Sequence, residues 1–481
     1  MDEWQAADEH VERAVELFQR GRWTEAAREF RRALELEPDR GDWQFNLGLT
    51  LEAAGRLGEA RAAFEAAVEL MPEDLEPRLA LGGVLRELGR PVDALASFEA
   101  ASSIDAQHES SFARRIETLA ELGRHEEAET VYYLAQQQLE EFPRCLKAMG
   151  ESLLDRGDLE RGGWCLRESL RQDPTIPGVR SRLAEVLAAT GRPNRAVQMF
   201  LQELRDDPGG IDTLLRFGRL LGELGRDAEA AEKYRRVLEL DTANAEAHWR
   251  LGELAARSSR HGEAAAEFEL AAQLDPERVG THLQLAEARL RLGRVDEARR
   301  DLLEQGRRLR EFVGEHRERC GGDIDENTLA MATRTCELLL EIGQPAAADA
   351  VLSEFAVEIQ RDPQRLRLLA MARFEAGRVA EACAASRRVL RLDPGCIASI
   401  HNLSLAAQRG GRRRLAWAWW RRGMRTAPED EGLRRIRTRL VLDEIATTAE
   451  GIVGGVERAT SRLLRPVART MRRTAAAIFR R

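Results

Sequence analysis

Histidine, cysteine and carboxylate clusters are where chemistry would sit in this 481-residue chain. His125-Glu126-Glu127 starts like the H-E-x-x-H helix, whose two histidines one turn apart hold zinc, but no second histidine follows. The eight histidines (10, 108, 125, 248, 261, 282, 316, 401) are otherwise scattered. His248 and His282 stand 34 residues apart without cysteine or carboxylate partners at ligand spacing. Six cysteines, at 145, 165, 320, 336, 383 and 396, contain no C-x-x-C and read as reduced thiols, core or incidental. The acidic loop expected over Cys320–Asn327 lacks the ligand spacing and terminal glutamate of an EF-hand. There is no phosphate loop, no G-x-G-x-x-G and no G-x-S-x-G. Carboxylates are so abundant that any chosen acid–base pair is arbitrary. The sequence therefore leads to an expectation of no catalytic residue, no cofactor and no metal.

Charge narrows the classes further. Aspartate and glutamate number 82 against 74 lysines and arginines, a net charge of −8, which disfavours a nucleic-acid binder. Only Lys147 and Lys233 are lysines, an arginine excess that reads as codon bias of a GC-rich bacterium. No apolar run reaches the roughly 18 residues of a membrane span. The acidic start, Met1-Asp2-Glu3-Trp4, does not resemble a secretory signal, so the expected address is the cytoplasm.

A fixed period positions everything else. Gly21, Gly55, Gly89, Gly123, Gly157, Gly191 and Gly225 follow one another at steps of 34. Ser259 fills the next slot, Gly293 continues the register, and it returns at Gly343, Gly377 and Gly411. Five residues after each slot comes a small residue: Ala26, Ala60, Ala94, Ala128, Gly162, Ala196, Ala230, Ala264, Ala298, Ala348, Ala382 and Ala416. Four further on stands a bulky one in most units, such as Phe30, Phe64, Phe98, Tyr132, Phe200, Tyr234, Phe268 and Trp420. Prolines at 38, 72, 174, 208, 276, 394 and 428 close seven units. Ala60, Phe64, Ala67 and Val68 share one helical face, glycine permits the left-handed turn before it, and Pro72 stops the helix. Each unit is a helical hairpin too small to bury its own apolar face, so the units must stack. Ile116, Arg289 and Ser386 break the pattern locally.

Leu47-Gly48, Gly55, Ala60, Phe64, Ala67 and Pro72 together resemble the tetratricopeptide repeat (TPR), in phase over about residues 7–430. The resemblance implies an all-α, right-handed α-solenoid, a superhelix of about twelve helix–turn–helix units. Nine units are expected over 7–312 and three over 329–430. The intervening insertion, 313–328, reads as a seam with hinge freedom after a second helix prolonged through Gly306–Glu318. A capping helix is expected over 431–446, marked by Leu433, Ile436, Leu440 and Val441, with Trp417 and Trp419 packed beneath it.

The stretch 447–481 reads as a basic amphipathic tail. It holds eight arginines, among them Arg458, Arg462, Arg465, Arg469, Arg472 and Arg473, against Glu450 and Glu457. Such a tail suits an anionic membrane surface, a partner protein or the acidic body of the chain itself.

In the family, the first helix of each unit lines a concave surface that grips peptide or helical segments of other proteins. The corresponding positions here are apolar near the N-terminus, at Val11, Val15, Phe45, Leu49 and Leu79. They become charged further on, at Arg114 with Glu117, Lys147 with Glu151, Arg182 with Glu185, Arg216 with Arg219, Arg250 with Glu253, and Arg334 with Glu337. Most of these pairs are spaced to meet on one helix. They read either as a polar groove for a partner or as mutually neutralised surface charge. The expected function is a non-enzymatic scaffold for other proteins, with a membrane-peripheral scaffold anchored through the tail as the alternative. Binding to nucleic acid is not expected.

Overall fold

Left-handed backbone closes each helical hairpin. In the computed structural model, which describes residues 3–320, 324–445 and 448, Gly21, Gly55, Gly89 and Gly123 all sit at φ 71°. The other seven glycines of the series lie between 67° and 81°. Ser259 adopts φ 59° in the remaining slot and is the one non-glycine residue with positive φ among the described residues. The turn hydrogen bonds explain the requirement. In the second repeat the Gly55 N–H donates to the Glu52 carbonyl and the Arg56 N–H to the Leu51 carbonyl, both at 2.9 Å, which satisfies the last carbonyls of the first helix.

Among the described residues twelve hairpins follow from this rule, from Glu3–Gln19 paired with Trp23–Leu36 to Ile397–Arg409 paired with Arg413–Thr426. No strand occurs among the described residues. The chain forms two compact units, residues 1–240 and 241–481. Each is an α-solenoid in which successive hairpins stack, seven in the first and five in the second.

Packing inside a hairpin is a close approach of ring to backbone. The ring of Phe64 covers Gly48, where a Cβ would stand 2.5 Å from Cε1. The same contact recurs between Gly218 and Tyr234 at 2.6 Å and between Gly252 and Phe268 at 2.7 Å. Ala60 and Ala264 are wholly buried in the same cores as Phe64 and Phe268. The irregular units are accommodated individually. Ile116 is fully buried in the slot that a small residue, glycine or alanine, holds in the other early repeats. Arg289 occupies its apolar slot as part of a charge cluster: Asp301 binds it at 2.7 and 2.8 Å, with Glu269 at 3.2 Å and Glu297 at 3.3 Å. Ser386 is buried where a bulky side chain is usual.

The insertion is carried by the 26-residue helix Val295–Cys320. Its Leu309 and Val313 share one core with Leu283, Leu329, Val351 and Leu366. The loop expected to run on to Asn327 ends earlier. Asp325 caps the next helix, Glu326–Glu341, by accepting the Thr328 N–H at 2.6 Å. Residues 321–323 lie outside the described residues.

A further helix covers 431–445. Leu433, Ile436 and Leu440 are buried against Leu403, Ala407 and Ala416, and Trp420 Nε1 donates to the Leu433 carbonyl at 3.0 Å. Trp417 and Trp419 are partly buried against the same clusters. Val441, expected on the buried face, is instead exposed. The basic tail, with Arg458, Arg462, Arg465, Arg469, Arg472 and Arg473, lies outside the described residues.

Candidate partner-binding surface

The first helices of consecutive repeats lie side by side, so residues 31 or 34 apart face each other across the repeat boundary. This spacing decides which charged pairs form. Arg86 donates to Glu117 at 2.9 Å and pairs with Glu121 in the next repeat. The pair expected between Arg114 and Glu117 gives way to that contact, and Arg114 instead lies 5.9 Å from the centre of the Phe98 ring. Lys147 likewise turns from Glu151 and donates to the Pro177 carbonyl at 3.1 Å. Glu151 faces Arg182 of the following repeat at 3.5 Å.

Glu185 is the centre of this network. It accepts from Arg182 Nη1 at 2.9 Å on its own helix, Val179–Ala189. From the next first helix, Ile211–Glu223, it accepts from Arg216 Nη1 at 2.9 Å and also pairs with Arg219. Arg216 is held in turn by Asp212 at 2.6 Å. Burial disfavours the Arg216 cation, but Asp212 and Glu185 outweigh it and raise its pKa. Burial pushes the Glu151 carboxyl up, against the pull of Lys147 and Arg182.

In the second compact unit, Arg250 bonds Glu246 at 2.7 Å and Glu253 at 3.0 Å, and Arg278 reaches Glu246 at 2.5 Å. Burial works to raise the Glu246 carboxyl, but these two arginines overcome it and hold its pKa below the usual carboxylate range. Both guanidinium groups also lie over the Trp249 ring, Arg250 at 4.5 Å and Arg278 at 4.3 Å from its centre. Arg334 bonds Glu287 at 2.7 Å and Glu337 at 3.1 Å.

The apolar candidates separate by burial. Val15 is exposed, Val11, Phe45 and Leu49 are half-buried, and Phe45 packs 5.8 Å from the Phe64 ring. Leu79 does not belong to the surface. It is 6% exposed, in a core with Leu85, Ala94 and Phe98.

A cleft of about 450 Å³ opens beside Arg216 and Arg219. Ala188, Ala189, Phe200, Leu220 and Leu224 give it apolar walls. Sequence reasoning missed it, although a signal was present. Ala188 occupies the register position that holds Glu52 and Arg86 in repeats two and three, and so leaves space. Arg86 and Arg278 were missed as well, because their partners come from a neighbouring repeat, and so was Glu246, which joins Arg278 to Arg250 one turn along its own helix.

Groups with chemical potential elsewhere are engaged structurally. Ser152 Oγ lies 2.9 Å from His125 Nδ1, but Ser152 is fully buried and cannot meet a substrate. His248 Nδ1 is 2.7 Å from Glu267. Burial raises the thiol pKa of Cys145, Cys165 and Cys336. Among the described residues no group of three His, Cys, Asp or Glu side chains is placed to hold a metal, and no helix is long and apolar enough to cross a membrane.

Comparison with known protein families finds the same repeat. Tetratricopeptide repeat profiles match residues 11–74, 51–114, 180–211, 215–279 and 279–307. No curated protein matches the chain. Among solved structures, a tetratricopeptide repeat protein from Parabacteroides merdae is 17% identical over 52% of this chain and 98% of its own, with a TM-score of 0.41. TTC0263, a thermophilic TPR protein in Thermus thermophilus, is 23% identical over 38% of this chain and 100% of its own, at 0.31. MamA from Desulfovibrio magneticus is 22% identical over 35% and 96%, at 0.32. With its 34-residue register, twelve helical hairpins among the described residues and matching profiles, this chain belongs to the tetratricopeptide repeat family.

Proposed function

We propose that the chain is a non-catalytic scaffold that holds segments of other proteins on the face made by its first helices. The observation that carries this reading is the cleft beside Glu185. Its apolar walls could take a bulky side chain, and the guanidinium groups of Arg216 and Arg219 stand at its rim to meet a carboxylate on the same segment. Arg219 is the most open of the three arginines around Glu185, with a side chain 46% exposed. Family membership supports an interaction role, since stacked repeats offer extended contact area without a deep catalytic pocket.

Photo-crosslinking in the native cell tests the reading. A benzoylphenylalanine at Ala189 or Leu224 is expected to capture a discrete protein, and Arg219→Glu to abolish the adduct. The same probe at Glu232, on a second helix, serves as control. Equal capture at all three positions, or none at the cleft, would overturn the proposal.

A further inference from the structure

The last described helix is apolar on two sides. Its inner face, Leu433, Ile436 and Leu440, is already buried as the end of the stack requires. Its far end nevertheless exposes Val441 at 38%, Leu442 at 59% and Ile445 at 60%. These three fall at i, i+1 and i+4, on one outward stripe. A helix that only sealed the array would carry polar residues there. Asp443 and Glu444 flank the stripe, but over the wider end of the array positive charge predominates. Residues 409–445 hold eleven arginines against five carboxylates, and all eleven arginines are exposed. Residues 447–481 add eight against two, so everything before 409 carries the acidic excess.

We infer that the outer face of the helix 431–445, with the arginines of the helix Arg413–Thr426, docks on an anionic lipid bilayer. Two other occupants fit less well. The chain's own continuation is itself arginine-rich, and packing it over Arg434, Arg435, Arg437 and Arg439 would set like charges together. Nucleic acid would reward the arginines but leave Leu442 and Ile445 in water. A bilayer interface satisfies both features, because acyl chains take the apolar stripe while headgroups pair with the arginines. The surface lies entirely within residues 409–445 and is independent of the cleft beside Glu185.

Flotation of the full chain with vesicles tests this. The chain is expected to float with vesicles of 30% phosphatidylglycerol in phosphatidylcholine and to stay behind with pure phosphatidylcholine. Leu442→Ser/Ile445→Ser should weaken binding about tenfold, and Arg435→Glu/Arg439→Glu should remove it. Both variants alter exposed side chains, so circular dichroism and melting temperature should match the parent. Failure of the parent chain to float would overturn the inference. So would undiminished binding by the serine variant, or retention on DNA or RNA without vesicle binding. None of these outcomes depends on capture of a protein at the cleft.

Discussion

The ring of Phe64 lies against Gly48 so closely that a Cβ there would stand 2.5 Å from the ring edge. A contact this tight joins the two helices of a hairpin through backbone and ring. Gly48→Ala should therefore destabilise, although alanine is the better helix former. The expected cost is about 1–3 kcal/mol from overpacking, read from the urea midpoint. Adding Phe64→Leu should recover part of it, because Gly150 faces Leu166 with its nearest contact at 3.0 Å. An unchanged midpoint for the single variant would contradict this packing.

Ser259 holds a left-handed turn that eleven glycines hold elsewhere in the register. The conformation strains a residue with a Cβ, while glycine loses more entropy on folding. Ser259→Gly should stabilise by about 0.5–1 kcal/mol net. Differential scanning calorimetry would show the melting temperature rise.

Gln305 is fully buried, and neither end of its amide has a hydrogen-bond partner. It stands about one turn from Leu302 and Leu309, two core residues of the same helix. Gln305→Met keeps the shape and removes the polar group, and is expected to stabilise by about 1 kcal/mol or more. Loss of stability in a denaturant titration would mean that the amide is satisfied in solution.

The pKa of Glu246 is lowered in the folded chain by Arg250 and Arg278, which outweigh the opposing effect of burial. The carboxylate therefore contributes stability above the ordinary carboxylate range, near pH 4. That contribution is lost as pH falls through the lower folded value. Glu246→Gln should be less stable than the parent at pH 7, and the gap should close as the solution is acidified below pH 4. A gap independent of pH would rule out charge as its source.

Much of this architecture was legible because a few residue types satisfy each requirement. A left-handed turn every 34 residues leaves glycine as the easy choice, and close helix approach leaves alanine or glycine beside a bulky side chain. The helix through Leu309 and Val313 could be read from its periodicity. The start of the next helix could not, because Asp325 shows itself as a cap only by its bond to the Thr328 N–H. Charged pairs were legible where both partners share a helix, as with Arg182 and Glu185. They were not legible where stacking brings a closer partner, as Arg86 does for Glu117. Burial of Leu79 was hidden for a similar reason: register places a residue on a helix, but the neighbouring helix decides whether it meets solvent.

Affinity at the Glu185 cleft tests the central claim most directly. With the protein captured by crosslinking as the titrant, Ala189→Trp fills the cleft and Arg219→Glu reverses its rim, both at exposed positions. Each is expected to raise Kd at least about tenfold, the equivalent of about 1.4 kcal/mol, with helicity and melting temperature unchanged. Parent-like affinity in both variants would contradict docking on the first-helix face.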